Sequence, residues 1–209
     1  MKLGLAAKLS KLEWDAYRLG ISTDDVIESY KAQRKDVDKI LNSHQRQKEN
    51  IAKLLELAPE AQKVNVLAIQ ELKTEKPSIE MLLCVGGDNF FQICSHLFPE
   101  AYLVGVNSDT QTSSGALLYF NLENIPEILP CLVGGGNFTY EPWARVATTL
   151  NEKRVEDATC TASLSIKATD MMSRYLLERK EMRYTPKEDE EPKLVEEQKA
   201  TGILIVSGA

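Results

Sequence analysis

Short apolar runs and longer stretches of helical spacing take turns along the first half of the chain. Residues 2–8 read as a first β-strand. Ser22-Thr23-Asp24-Asp25 reads as a helix start, a hydroxyl cap with acids in the first turn. Val37, Ile40, Leu41, His44, Ile51, Leu54 and Leu55 then recur at helical spacing, which predicts a long amphipathic helix to about residue 57, ended by Pro59. Residues 64–69 alternate enough for a strand, and 79–85 form a continuous apolar strand of the buried parallel kind. A helix over 89–98 and a strand over 101–106 follow. This β-α-β-α-β order predicts an α/β fold, a Rossmann-like parallel sheet with helices on its faces.

After Gly105 the pattern changes. A short strand is predicted over 115–120 and a short helix over 125–132, with Pro126 near its first turn. Gly134-Gly135-Gly136-Asn137 is a flexible spot and a natural boundary, giving domains of residues 1–137 and 138–209. Beyond it lie short strands at 144–150, 154–155, 159–166, 174–179 and 202–206, with Asn151-Glu152-Lys153 suited to a hairpin turn. The run from Lys187 to Lys193 is too charged to pack and reads as a solvated loop between strands.

Composition narrows the class. A chain of 209 residues can bury a real core, and 43% hydrophobic with 27% charged residues is ordinary for a soluble globular protein. A net charge of -6 offers no electrostatic footprint for nucleic acid or an anionic membrane. No apolar run approaches the roughly 20 residues that span a bilayer. The apolar start is cut short by Lys8, too early for a signal peptide. Cys84, Cys94, Cys131 and Cys160 include no C-x-x-C pair, which argues against zinc ligation and a disulfide framework and for a reducing, cytoplasmic setting. His44 and His96 sit in helical patterns and suggest no metal site.

The chemistry concentrates in Val85-Gly86-Gly87-Asp88-Asn89, an apolar run that meets two glycines and then a carboxylate at a helix start. Glycines allow sharp turns and close approach to a ligand, and helix N-terminal amides suit phosphate. An acid there repels phosphate unless it works on a hydroxyl or meets a metal, which points to phosphoryl transfer or a nucleotide site. An ordinary turn with Asp as N-cap fits the same residues. One helix later, Gly105-Val106-Asn107-Ser108-Asp109 is a second strand running into a polar end. Successive strands with polar carboxyl ends are what an open parallel sheet presents at its binding edge.

Taken with Ser114-Gly115, these motifs resemble the NAD kinase family, related to phosphofructokinases and diacylglycerol kinases, and most of all its mitochondrial-type branch and bacterial relatives. Lys11-Leu12-Glu13-Trp14-Asp15, Ser43-His44-Gln45-Arg46-Gln47, Ser173-Arg174-Tyr175 and the stretch from Gln198 to Leu204 are similar to that branch too, in the same order. The resemblance implies transfer of the ATP γ-phosphoryl to the 2′-hydroxyl of the adenosine ribose of NAD, giving NADP. Asp88 would accept the hydroxyl proton, since phosphoryl transfer needs positioning and an acceptor more than strong base chemistry. Gly86, Gly87, Asn89, Asn107, Ser108 and Asp109 would line the nucleotide site, and Mg2+ would arrive with ATP. The resemblance also implies a second domain that is a β-sandwich, and admits a mitochondrial location.

Three departures accompany the resemblance. Asn89 stands where most of the family has glycine, and Asn tolerates a positive φ better than other residues. The family's Asn-acid pair should fall near Cys160-Thr161, where neither residue matches, while Asn151-Glu152 has the letters but reads as a turn. The sequence given stops at Ser207-Gly208-Ala209, where the family's Gly/Ser/Thr-rich nucleotide loop begins, so the sandwich is expected to be incomplete. An incomplete sandwich would expose a strand edge near residues 203–206, hence homo-oligomers. A catalytically silent relative that binds nucleotide or another subunit is the alternative expectation.

Overall fold

The computed structural model describes residues 1–134, 136–143, 145–155 and 157, and beyond them the strands at 161–165, 173–179, 193–200 and 202–206. Two compact units divide after Pro142, where the glycine run had suggested Asn137: Met1–Pro142 and Trp143–Ala209.

The first unit is α/β. Strands β1 (Leu3–Ala7), β2 (Gln62–Val64), β3 (Met81–Gly86), β4 (Tyr102–Asn107) and β5 (Phe120–Asn121) form one parallel sheet in the order β2-β1-β3-β4-β5. Its helices are α1 (Lys11–Leu19), α2 (Thr23–Ala32), α3 (Val37–Leu57), α4 (Val66–Glu71), α5 (Asp88–Leu97) and α6 (Ile125–Val133). Side chains alternate across a strand, so each sheet face draws on every second residue. Leu3, Leu5, Met81, Leu83, Val85, Val104 and Val106 pack in one core with Leu54 of α3 and Ile125, Leu129 and Leu132 of α6. The other face carries α5. A Cβ on Gly105 would come within 3.2 Å of Phe91, and one on Gly86 within 2.9 Å of Phe90. Both faces being covered explains why β3 is buried at every residue and reads as an unbroken apolar run.

Capping chemistry explains where the sequence pattern misled. Ser10 and Glu13 form a capping box that opens α1, a helix the apolar spacing did not predict. Gln33-Arg34, with Arg34 at φ 55, and the N-cap Asp36 separate α2 from α3. Residues 64–69 are not a strand: Asn65 accepts from the Ala68 amide, ends β2 and starts α4. Of the strand expected over 115–120, only Phe120 belongs to β5. The amides of Ala116 and Leu117 point instead to the carboxylate of Asp88.

The second unit is antiparallel. β6 (Thr149–Leu150) and β7 (Lys153–Arg154) form a hairpin whose turn residues Asn151 and Glu152 have φ of 48 and 66. Positive φ at both positions is the type I′ geometry that matches strand twist. β8 (Thr161–Ser165) pairs with β11 (Gly202–Val206), and β9 (Ser173–Arg179) with β10 (Lys193–Ala200). β10 escaped the sequence pattern because Glu196, Glu197 and Lys199 break its apolar alternation, and the register shifts between Leu194 and Glu196. Cys160, the remainder of the acidic run (187–192) and residues 207–209 lie outside the described residues. No described helix is long and apolar enough to cross a membrane.

Candidate functional site

The sheet order reverses at β1. The chain leaves β1 for β2 on one side, then returns to build β3, β4 and β5 on the other. In open parallel sheets ligands bind beyond the carboxyl ends of strands at such a switch point. Here those ends are Lys8-Leu9-Ser10 after β1, Gly87-Asp88 after β3 and Ser108-Asp109 after β4. Main-chain bonds hold them side by side: Lys8 N–H donates to Val85 O at 2.9 Å, and Ser108 N–H to Gly86 O at 3.1 Å.

The Gly-Gly turn is not made by left-handed backbone. Gly87 has φ -123 and ψ -179, extended values open to any residue, and Gly86 is not among the positive-φ glycines. Gly86 is required for space: a Cβ there would stand 2.9 Å from Phe90 and 3.1 Å from the Lys8 Cβ. Gly87 is different. Among the described residues a Cβ there would find only Ser113 Oγ, at 3.6 Å, so its smallness serves no packing need among them. Asn89 is an exposed helical residue of α5 and needs no positive φ, so the family's glycine at this place answers no backbone demand here.

Asp88 is the first residue of α5, and the N-cap is Gly87, with no side-chain cap bond. The capping role considered for Asp88 is therefore replaced by a long-range one. Its Oδ1 accepts from Leu117 N–H at 2.9 Å and its Oδ2 from Ala116 N–H at 3.1 Å. Two amides use about half of the roughly four acceptor positions of a carboxylate. The side chain is half-buried, oriented from behind and able to accept further hydrogen bonds.

Asn107, Ser108 and Asp109 are all buried. Asn107 spends its amide on its own loop: Oδ1 accepts from Asp109 N–H at 3.0 Å and Nδ2 donates to Ser113 O at 2.9 Å. Gly115, at φ +60, lies so close that a Cβ would stand 2.6 Å from Asn107 Nδ2. The Ser108 carbonyl accepts from Asn50 Nδ2 at 2.9 Å. Asp109 Oδ1 accepts from Arg46 Nε at 3.1 Å; Oδ2 accepts from Arg46 Nη2 at 3.2 Å, Ser43 Oγ at 2.5 Å and Thr112 Oγ1 at 2.7 Å. Burial alone would raise this carboxyl, but the Arg46, Ser43 and Thr112 bonds together with the Arg46 charge outweigh it and hold Asp109 below its ordinary value.

In the sequence Ser43 and Arg46 stand out only as part of a motif similar to the family's. Their spacing with Asn50, at i, i+3 and i+7, puts all three on one face of α3, a polar stripe in an otherwise amphipathic helix. That stripe was the available signal for a polar partner. The next residue, His44, turns to the end of β1, where Ser10 Oγ lies 2.7 Å from its Nδ1. Cys84 and Cys94 are buried free thiols, and burial first, then the neighbouring Cys94, push the Cys84 thiol well up. They behave as small hydrophobes. Among the described residues no group of three His, Cys, Asp or Glu gathers to hold a metal ion.

No protein-family model matches the chain, and no curated protein matches it.

Proposed function

We propose that this chain is a nucleotide phosphotransferase of the NAD kinase type, using ATP with Mg2+ to phosphorylate the 2′-hydroxyl of the adenosine ribose of NAD. The single observation that carries this reading is Asp88: a half-buried carboxylate at the sheet's switch point, held by two backbone amides and flanked by Gly87, where among the described residues a side chain would meet only Ser113. A nucleotide chain approaching Gly87 would meet the N-terminus of α5, where amides and the helix dipole favour phosphate. Asp88 would accept the proton of the attacking hydroxyl at an unoccupied lone pair. Asn107 and Asp109 would act from behind, shaping the loop, since their side chains are bonded within the protein, and Ser108 through its carbonyl, which accepts from Asn50. The second unit is read, by the resemblance, as part of the family's sandwich domain.

A second reading, a nucleotide-binding relative without turnover, has its own support. Asn151-Glu152, which has the letters of the family's Asn-acid pair, forms the type I′ turn of the β6-β7 hairpin and opens no strand. Titration calorimetry with NAD and with ATP, followed by a coupled assay for NADP, separates the two. Binding with NADP formation supports the kinase, binding without turnover supports the silent relative, and phosphorylation of a lipid or sugar with no NADP overturns the NAD assignment.

A further inference from the structure

From the geometry between α3 and Asp88 we infer that Arg46 is a positioning residue for the proposed catalytic carboxylate, acting through Asp109 and the loop of residues 107–117. This rests on the kinase reading for its consequence, but the coupling stands on contacts alone. The steps are continuous. Arg46 and Ser43 on α3 grip both oxygens of Asp109. Asp109 also takes the Thr112 hydroxyl, and its amide donates to Asn107 Oδ1. Asn107 Nδ2 donates to Ser113 O, and its amide sits against Gly115. The next amides, Ala116 and Leu117, are the ones that hold the Asp88 carboxylate.

Burial makes this more than a string of neighbours. The Asp109 side chain is 3% exposed and Arg46 28%, so the carboxylate depends on the guanidinium for charge compensation. Without Arg46 the buried carboxylate keeps only the Ser43, Thr112 and Gln111 donors and must take up water or a proton, which loosens its hold on the loop. Asn107 is bonded to both Asp109 and Ser113 and packs on the bare backbone of Gly115, so a shift at Asp109 passes along the loop to the 116 and 117 amides. Asp88 would then lose the two donors that aim it, while the apolar core that supports β3 and β4 stays intact.

Backbone amide exchange measured by NMR on the full chain tests this without needing turnover. In the wild type the amides of Ala116 and Leu117 should be protected, and Asp88→Ala should release them. Arg46→Met should raise their exchange by roughly tenfold or more while the amides of Leu83 and Val85 remain protected. Arg46→Lys, which keeps the charge but not the paired donors, should fall between. Should Arg46→Met not fold, Thr112→Val removes one grip on Asp109 and should give a smaller release of the same two amides. Unchanged exchange at 116 and 117 in the Arg46 and Thr112 variants, or in Asp88→Ala, overturns the coupling. If NADP forms, Arg46→Met should lower kcat with KM for NAD little changed. If it does not form, the kinase reading fails and the exchange result still decides the coupling.

Discussion

Two neighbouring strands of one sheet end in acids that do opposite things. β3 passes directly into α5, with Asp88 at the junction, half-buried and held only by amides from elsewhere in the chain. β4 runs into a loop that folds back on itself, and Asp109 is buried there with a cation and two hydroxyls on its oxygens. The first carboxylate keeps acceptor capacity for a ligand; the second has exchanged its own for internal bonds. Lying at a binding edge therefore does not make a polar residue a ligand contact. What separates the two is the supply of partners: a polar stripe of α3 packs against the end of β4, whereas at the end of β3 a side chain on Gly87 would meet, among the described residues, only Ser113.

The largest expected effect tests the Asp88 side of that contrast. If Asp88 accepts the ribose proton, Asp88→Asn should lower turnover by roughly 10²–10⁴ with nucleotide affinity nearly intact. The amide can accept at only one end, so its nitrogen would face a backbone N–H and cost about 1–2 kcal/mol of stability. A stability loss of that size with full activity would reduce Asp88 to a tether for the loop.

Asp109 should show the reverse, a stability effect first. Replacing Arg46 by Met strands a buried charge and should cost about 3 kcal/mol in urea unfolding, the low end for such pairs because Arg46 is partly exposed. The pH dependence has a definite sign. The folded carboxyl lies below its unfolded value, so the unfolded chain binds more protons as pH falls. The stabilisation is complete above the ordinary Asp value of about 4 and is lost as pH drops through the lower folded value. Urea midpoints from pH 7 to pH 3 should fall less steeply for Asp109→Asn than for wild type; parallel curves would remove Asp109 as a contributor.

The two glycines divide in the same way. Gly115→Ala meets both a positive φ and the Asn107 amide 2.6 Å from the new Cβ, and should cost about 1–3 kcal/mol. Gly87→Ala has neither obstacle and should cost only the N-cap preference for glycine over alanine, about 1 kcal/mol or less. If a nucleotide lies against Gly87, the same variant should nonetheless weaken NAD or ATP binding in calorimetry. Unchanged affinity would move the ligand away from this turn.

Much of the sheet was legible in the sequence. The apolar runs of β1, β3 and β4 and the helical spacing of α3 and α5 are direct consequences of burial on two faces, which filters residues one position at a time. The Asn151-Glu152 turn was legible for a similar reason, since type I′ geometry depends on the two residues themselves. Elements decided by caps and charge were harder. The α1 capping box was present in Ser10-Lys11-Leu12-Glu13 but carried no apolar signature, and Asn65 converted an apparent strand into a strand end and a helix start.

Local pattern is enough to read the parallel-sheet grammar and to pick out Gly86, Gly87, Asp88, Asn107 and Asp109 as the polar ends of adjacent strands. What each of them does follows from its long-range contacts. Asp88 bonds to residues 28 and 29 positions away, and Asp109 to residues 63 and 66 positions away. Hydrogen-bond partners at such separations follow from how helices dock on the sheet, which no local spacing encodes. Whether a carboxylate is poised for a ligand or consumed by its own protein is set by those partners, and so by packing.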